Sequence, residues 1–323
     1  MVEAAAVRFA VSCCIVFCAA TAFAQGFPAK PVHVVVAFSP GGVTDVIARA
    51  VGAKLSELWR EPVVVENRAG ANGSIAAALV AKAPPDGHVL LVHSAGFATN
   101  AVLAANLAFD PLQDLAAVAP LGAQPQVLVV APSSGIASVE ALIARARAAP
   151  GMLHYGSAGI GSGAHLNGEK FRLATGIDVV HVPYKGGAEA IQDTIAGRLD
   201  FTFNTLTLAL PHLRDGKLLA LGVSSARRTA LLPQVPTIAE AGVPGFEYSF
   251  WNGLWAPAAT PPAVLDRIAA DVARAIAAPD LAERLAKLGA EPMHLSREEF
   301  ARFVRAEIED AARITRAAGI QAR

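Results

Sequence analysis

Cysteine is nearly absent from this chain of 323 residues. The three cysteines, Cys13, Cys14 and Cys18, all lie in one short apolar segment near the N-terminus. The rest of the sequence offers no thiol, which excludes disulfide bonds, thiolate nucleophiles and cysteine–zinc sites there. Such a chain must be stabilised by burying apolar surface, and about 300 residues suffice for two domains of ordinary size.

An excess of either charge is also absent. The sequence has 27 basic and 27 acidic residues, without long runs of one sign. Proteins that follow phosphate backbones or anionic membranes carry basic patches, so no nucleic-acid partner is expected. Hydrophobic residues make up 54% of the chain, but many are alanines dispersed among charged residues at helical spacing, which indicates amphipathic helices rather than membrane spans.

One apolar segment is typical of a secretory signal peptide. Arg8 precedes the apolar run 9–20, and Ala22 and Ala24 supply the small residues that signal peptidase reads. The run is shorter than the roughly 20 residues that a membrane span needs. We therefore predict a signal peptide over residues 1–24, cleavage after Ala24 and export to the periplasm. The alternative is an uncleaved membrane anchor.

Short β-branched runs alternate with alanine-rich amphipathic stretches after the signal segment. This alternation predicts an α/β fold with a mainly parallel sheet and covering helices. The predicted strands are 32–38, 62–66, 89–93, 127–131, 153–156, 179–184, 200–204, 219–224 and 252–256. The predicted helices are 43–59, 138–148, 164–174 and 188–196, and apolar residues at helical spacing predict that the region from Leu265 onward is nearly all helix.

Two segments bracketed by proline or glycine, 124–132 and 250–257, are interpreted as strands that cross between two domains. Two such connections make a hinge with a cleft beneath it. We therefore predict one lobe from residues 25–125 together with 251–323, and a second lobe from residues 126–250.

Three predicted strand-to-helix junctions are rich in glycine: 38–45, 155–165 and 184–187. Glycine lets the backbone approach a ligand closely, and the helix that follows presents free N–H groups and the positive end of its dipole. In open α/β sheets these junctions lie where ligands bind. Together they predict a site for a small anion. For any single loop the alternative is a tight turn, with Thr44 or Ser162 as the helix N-cap.

Sequence signatures of catalysis are weak. The segment 156–159 lacks one residue of the G-x-S-x-G elbow, and no G-K-[ST] phosphate loop occurs. His154, His165 and His181 lack the spacing of a metal motif and are interpreted as structural or hydrogen-bonding residues. We expect no cofactor, no metal and no enzymatic activity, with a periplasmic hydrolase as a lesser alternative.

Eight motifs follow one another along the chain after the signal segment. They are VVVAFSPGGVTDVIAR, PVVVENRAGANGSIAA, APPDGHVLL, LHYGSAGIGSGAHLNGEKF, HVPYKGGAEAIQDTIAGRLDF, LALPHLRDGKLLALGVSSARR, LPQVPTIAEAGVPGFE and GLWAPAATPP. In this combination the sequence resembles the Bug family, the periplasmic solute receptors of tripartite tricarboxylate transporters. The resemblance implies a type II periplasmic-binding-protein fold, with two lobes joined by two hinge crossings around a central cleft.

The resemblance also implies a ligand and partners. Family members grip a carboxylate with the first glycine loop and the Y-G-S-A-G loop, partly through water, and deliver it to a permease of one large and one small membrane subunit. The ligand contacts predicted for this chain are Phe38, Ser39, Gly42, Thr44, Ser94, Ser157, Gly159, Ser162, His165, Asn204 and Thr205.

One departure from the family pattern bears on the ligand. The family commonly has aspartate-asparagine where this chain has Asn204-Thr205. Loss of that acid removes a partner for a ligand ammonium group, so we expect a plain mono- or dicarboxylate rather than an amino acid. We expect a monomeric receptor; a sensor that presents the ligand to a membrane signalling partner is the alternative.

Overall fold

The computed structural model describes residues 26–103 and 107–320, so the predicted signal peptide and its cleavage site lie outside the described residues. The strands are β1 (Val32–Val36), β2 (Val63–Asn67), β3 (Val89–Ser94), β4 (Leu115–Val130), β5 (His154–Ser157), β6 (Val180–Pro183), β7 (Phe201–Thr205), β8 (Leu219–Val223) and β9 (Ser249–Pro257). The helices are α1 (Val43–Trp59), α2 (Ser74–Ala81), α3 (Gly96–Leu103), α4 (Val139–Ala148), α5 (Gly163–Thr175), α6 (Gly187–Ile195), α7 (Leu206–Arg214), α8 (Pro262–Ala277), α9 (Pro279–Lys287) and α10 (Arg297–Ala317).

The strands form a sheet in the order β2-β1-β3-β9-β4-β7-β5-β6, with β8 paired to β4. Strands β1, β2 and β3 are parallel to one another and make the N-terminal half-sheet. Strands β5, β6 and β7 are also parallel and make the central half-sheet. Helices follow most of these strands, so the predicted α/β class is confirmed.

Strand β4 connects the two half-sheets. Its residues from Leu115 to Pro125 pair with β9, and those from Gln126 onward pair with β7 and β8. Strand β9 also pairs with β3, so it belongs to the N-terminal side. The chain therefore changes pairing partners between Pro125 and Gln126. The division into two lobes predicted from the sequence remains a prediction.

Each half-sheet has its own apolar core. On the N-terminal side, α1, α8 and α9 bury residues such as Ile47, Leu55 and Ile268 against the sheet. On the central side, Phe171 of α5 packs against Phe203 of β7 with ring centroids 5.7 Å apart.

The C-terminal helix α10 packs against both sides. Its first turns bury Phe300 beside Trp251 and Trp255, whereas its later residues Ala311 and Ile314 join the central core. A capping box at Ser296 and Glu299 fixes where it begins: each side chain accepts a hydrogen bond from the backbone N–H of the other residue. In the described ranges, no helix has both the length and the apolar composition needed to cross a membrane.

Candidate functional site

A cleft of about 570 Å³ lies between the two half-sheets. It is lined by Phe38, Ser39, Pro40, Gly41, Gly42, Val43, Thr44, Asn72, Ser94, Gln126, Ala158, Ser162, Gly163, Ala164, Lys185, Gly186, Gly187, Ala188, Glu189, Asn204, Thr205, Leu208 and Phe250. These residues come from both sides of the sheet. All three glycine-rich junctions singled out in the sequence contribute to the lining.

Four helices of the described part of the chain begin at this cleft. Helices α1, α5, α6 and α7 have Gly42, Ser162, Gly186 and Thr205 as their N-caps, and all four caps line it. The first N–H groups of a helix have no partner within it, and its dipole is positive at this end. The cleft therefore favours an anion by its backbone alone.

The four helices differ in whether the N-cap side chain accepts a hydrogen bond from an N–H of the first turn. The Ser162 hydroxyl accepts a hydrogen bond from the His165 N–H at 3.3 Å, so α5 is capped by its own side chain. Gly42, Gly186 and Thr205 make no such side-chain bond. Three of the four helices thus retain first-turn donors that no N-cap side chain satisfies. Thr44, the other cap considered from the sequence, is not an N-cap.

The first glycine loop is braced from behind by Asp45. This buried carboxylate accepts hydrogen bonds from the Gly41 N–H at 2.9 Å, from Arg49 Nε at 3.0 Å and from Asn67 Nδ2 at 2.9 Å. Asn67 Nδ2 also donates to the Phe38 carbonyl at 2.9 Å. Burial raises the pKa of Asp45, but these hydrogen bonds outweigh it and hold the pKa below the ordinary 3.8. Asp45 is therefore an ionised brace that leaves the loop facing the cleft.

The second glycine loop is also held by side chains that accept hydrogen bonds from its backbone N–H groups. The hydroxyl of fully buried Ser157 lies 2.7 Å from His181 Nε2 and accepts the Gly159 N–H at 3.1 Å. Nδ1 of His165 accepts the Gly161 N–H at 3.1 Å, and the rings of His165 and His181 stack 4.0 Å apart. Burial lowers the pKa of His165 to about 4 and that of His181 to about 3, so both rings are neutral at pH 7.

Ser157 and His181 have the contact of a nucleophile and its base, but the setting differs from that of a hydrolase. The Ser157 side chain has no exposed surface and does not line the cleft. Among the described residues, His181 makes its side-chain hydrogen bond to Ser157 alone, so no carboxylate orients it as a catalytic triad requires.

The third junction, after β6, is fastened to the end of β7. Asn204 Nδ2 donates to the Gly187 carbonyl at 2.9 Å, and Asn204 Oδ1 accepts the Thr205 N–H at 3.1 Å. A Cβ at Gly187 would lie 2.7 Å from Asn204 Oδ1, which explains the glycine there. Lys185 and Glu189, both exposed, are the charged residues in the lining, and Glu189 accepts the Lys185 N–H at 3.0 Å.

The structure brings most of the predicted contacts together. Those that line the cleft are Phe38, Ser39, Gly42, Thr44, Ser94, Ser162, Asn204 and Thr205. Ser157, Gly159 and His165 do not line it, because they form the internal brace of the second loop. Whether the lining residues contact a ligand stays a prediction.

Sequence reasoning missed several lining residues, above all Asn72, Gln126, Leu208 and Phe250. Gln126 follows a proline in a crossing strand, and its sequence neighbours give no sign of a site. Asn72 stands in the segment NRAGANGS, which is part of one of the eight motifs but was not singled out as a site. No group of three or more histidine, cysteine or acidic side chains that could hold a metal occurs within residues 26–103 and 107–320.

Comparison with solved structures places the fold. The chain superposes on "R. palustris Rpa4515 with adipate" with a TM-score of 0.85 and 36% identity, covering 92% of this chain and 100% of that one. MatC (Rpa3494) from Rhodopseudomonas palustris with bound malate gives 0.79 and 32%, covering 89% and 99%. The periplasmic binding protein BugD gives 0.82 and 31%, covering 92% and 100%. The predicted type II periplasmic-binding-protein fold is confirmed.

The sequence also matches a family model described as "Tripartite tricarboxylate transporter family receptor" over residues 47–320. That match extends from the first helix at the cleft to the end of the described region, so it includes most of the lining. The chain is a solute-binding receptor and belongs to the tripartite tricarboxylate transporter receptor family, in agreement with the Bug resemblance seen in its sequence.

Proposed function

We propose that this receptor captures a small organic carboxylate in the cleft and delivers it to the membrane subunits of a tripartite tricarboxylate transporter. The observation that carries the proposal is the convergence of four helix N-termini on one cleft, three of them without a side-chain cap. The adipate and malate held by two of the similar structures are both carboxylates, which supports the same class of ligand here.

The donors at the cleft are sufficient for useful affinity without arginine. A hydrogen bond to a charged group contributes about 1.5–3 kcal/mol, and micromolar binding needs about 8 kcal/mol. Three or four backbone or hydroxyl donors, such as those around Gly42, Thr44 and Ser162, reach that range. Some would act through water, which costs little enthalpy.

The lining also argues against an amino-acid ligand. An ammonium group needs a carboxylate or several carbonyl oxygens as partners. Glu189 is the acidic side chain in the lining, and it is exposed and engaged with the Lys185 N–H. The side-chain oxygen of Asn204 already accepts a hydrogen bond from the Thr205 N–H. We propose a mono- or dicarboxylate without an amino group.

The proposed architecture follows the sequence prediction. Residues 25–125 and 251–323 form one lobe and residues 126–250 form the other, with β4 and β9 as the crossings. Closure of the two lobes encloses the ligand. We further propose that residues 1–24 are removed on export and that the receptor acts in the periplasm as a monomer.

Isothermal titration calorimetry of the chain from residue 25 onward tests the function. Straight-chain and aromatic carboxylates should bind with micromolar or lower Kd, whereas their methyl esters and amides should not. Mass spectrometry of the recovered ligand should show it unchanged. Equal binding of acid and ester would contradict the carboxylate site, and turnover of the ligand would favour the hydrolase.

A further inference from the structure

Two polar side chains at the floor of the cleft have donor groups that the protein does not use. Gln126 and Thr205 are direct partners in the register between β4 and β7. Residues opposite each other in an antiparallel pair direct their side chains to the same face. Both residues line the cleft, and both are more than nine-tenths buried, at 2% and 7% exposure.

The Gln126 side chain is held with its amide nitrogen unengaged. Its Oε1 accepts a hydrogen bond from Asn167 Nδ2 at 2.9 Å. Its backbone N–H donates to Ser224 Oγ, and its backbone carbonyl accepts the Ser224 N–H. Its Nε2 has no hydrogen-bond partner among the described residues. Asn167 is fully buried in α5, so it holds the Gln126 side chain in one orientation.

The hydroxyl of Thr205 also lacks a hydrogen-bond partner among the described residues. As the N-cap of α7, its hydroxyl would ordinarily accept an N–H from the first turn, but it makes no such bond. Its Oγ1 is buried and has no partner in the described part of the chain. A buried hydroxyl without a partner is costly, and both Thr205 and the unengaged amide of Gln126 face the cleft, where a bound molecule can satisfy them.

We infer that Gln126 and Thr205 form a second recognition point, which binds an oxygen of the ligand other than the carboxylate held at the glycine loops. The Gln126 amide and the Thr205 hydroxyl both donate, and the first-turn N–H groups of α7 lie beside them. Such a set of donors suits a second carboxylate. The receptor therefore selects dicarboxylates over monocarboxylates of equal chain length, and Asn167 is the positioning residue for Gln126.

This inference rests on the proposed function, and one experiment separates the two. Straight-chain dicarboxylates of four to eight carbons are titrated calorimetrically beside the monocarboxylates with the same number of carbons. The wild-type chain should bind at least one dicarboxylate about tenfold or more tighter than its monocarboxylate partner. Gln126→Leu and Thr205→Val should each bring the ratio of the two dissociation constants toward one. Thr205→Ser retains the hydroxyl and should retain the wild-type ratio.

Gln124 offers a matched control. It lies two residues earlier on the same strand and is as buried as Gln126, at 1% exposure, but it does not line the cleft. Gln124→Leu should leave the ratio of the two dissociation constants unchanged. A general loss of stability lowers both affinities together, so the ratio reports recognition and not folding.

The outcomes are distinct. Equal affinity of the wild type for both members of every pair overturns the inference and leaves the carboxylate receptor standing. Proportional weakening of both ligands by Gln126→Leu does the same. If no carboxylate binds at all, the proposed function and the inference both fail.

Discussion

The side-chain amide of Asn72 donates a hydrogen bond to the backbone carbonyl of Gly161, with a nitrogen–oxygen distance of 3.2 Å. Asn72 lies in the turn after β2, whereas Gly161 lies in the loop before α5, so the bond joins the N-terminal and central sides. Asn100 supports Asn72 by donating to its carbonyl at 2.8 Å and accepting from its amide at 3.1 Å.

Removing this connection should loosen the enclosure of the ligand. Because Asn72 has a positive φ of 50°, alanine would add backbone strain, and Asn72→Gly is the cleaner substitution. A neutral hydrogen bond contributes about 0.5–1.5 kcal/mol, so affinity should fall about 2- to 12-fold. The loss should be in the dissociation rate, measured by stopped-flow fluorescence. An unchanged dissociation rate would show that the bond does not hold the two sides together.

Asp45→Ala should disorganise the first glycine loop. The substitution removes the acceptor for Gly41, Arg49 and Asn67, so we expect a loss of about 1.5–3 kcal/mol in the free energy of unfolding, measured in urea, together with weaker carboxylate binding. Asp45→Asn keeps one acceptor oxygen and should lose less.

The effect of Asp45 should also depend on pH. Because the folded pKa of Asp45 lies below its ordinary 3.8, its stabilisation is fully present above that value and is lost as the pH falls through the lowered pKa. The stability difference between wild type and Asp45→Ala should therefore shrink in strong acid. A stability difference that stays constant down to the acid-unfolding range would show that the Asp45 carboxylate is not ionised in the folded protein.

Three histidines with lowered pKa values should make the protein sensitive to mild acid. Burial lowers the pKa of His93 and His165 to about 4 and that of His181 to about 3, from an ordinary 6.5. Below pH 6.5 the unfolded chain takes up these protons and the folded chain does not, so stability falls as the pH drops toward 4. Each histidine adds up to about 1.4 kcal/mol per pH unit to this slope.

Unfolding in urea between pH 7 and pH 4.5 measures that slope. His181→Asn removes one titrating group, and its slope should be shallower than that of the wild type over the same range. Parallel slopes for the two proteins would mean that His181 is not held neutral by the fold.

Two adjacent glycines of the third loop should respond differently to alanine. A Cβ at Gly187 would lie 2.7 Å from Asn204 Oδ1, whereas one at Gly186 meets nothing within 4 Å. Gly187→Ala should cost about 1–3 kcal/mol through displacement of Asn204, and Gly186→Ala should cost less, because it loses only the preference for glycine over alanine at an N-cap. The Tm of the ligand-free protein distinguishes them. Equal Tm values would mean that Asn204 adjusts without cost.

Most of the strands and helices could be predicted from the local sequence pattern. The predicted helix 43–59 has the same bounds in the structure, and each predicted strand has a counterpart. These segments bury continuous β-branched runs or one apolar helical face, so their neighbours in sequence suffice to specify them. The start of β4 at Leu115 was missed, because prolines, a glycine and several alanines fill its first part and only pairing with β9 makes it a strand.

The sequence by itself determined which helices begin at glycine-rich junctions, because backbone freedom and helix polarity are properties of short segments. Only the tertiary structure decided that these beginnings meet at one cleft and which side chains face it. It places Ser157 against His181, 24 residues away, as an internal brace, and it sets Gln126 beside Thr205 with their donors unengaged. Such contacts depend on the register of distant strands and on the space between them, and no local pattern records either.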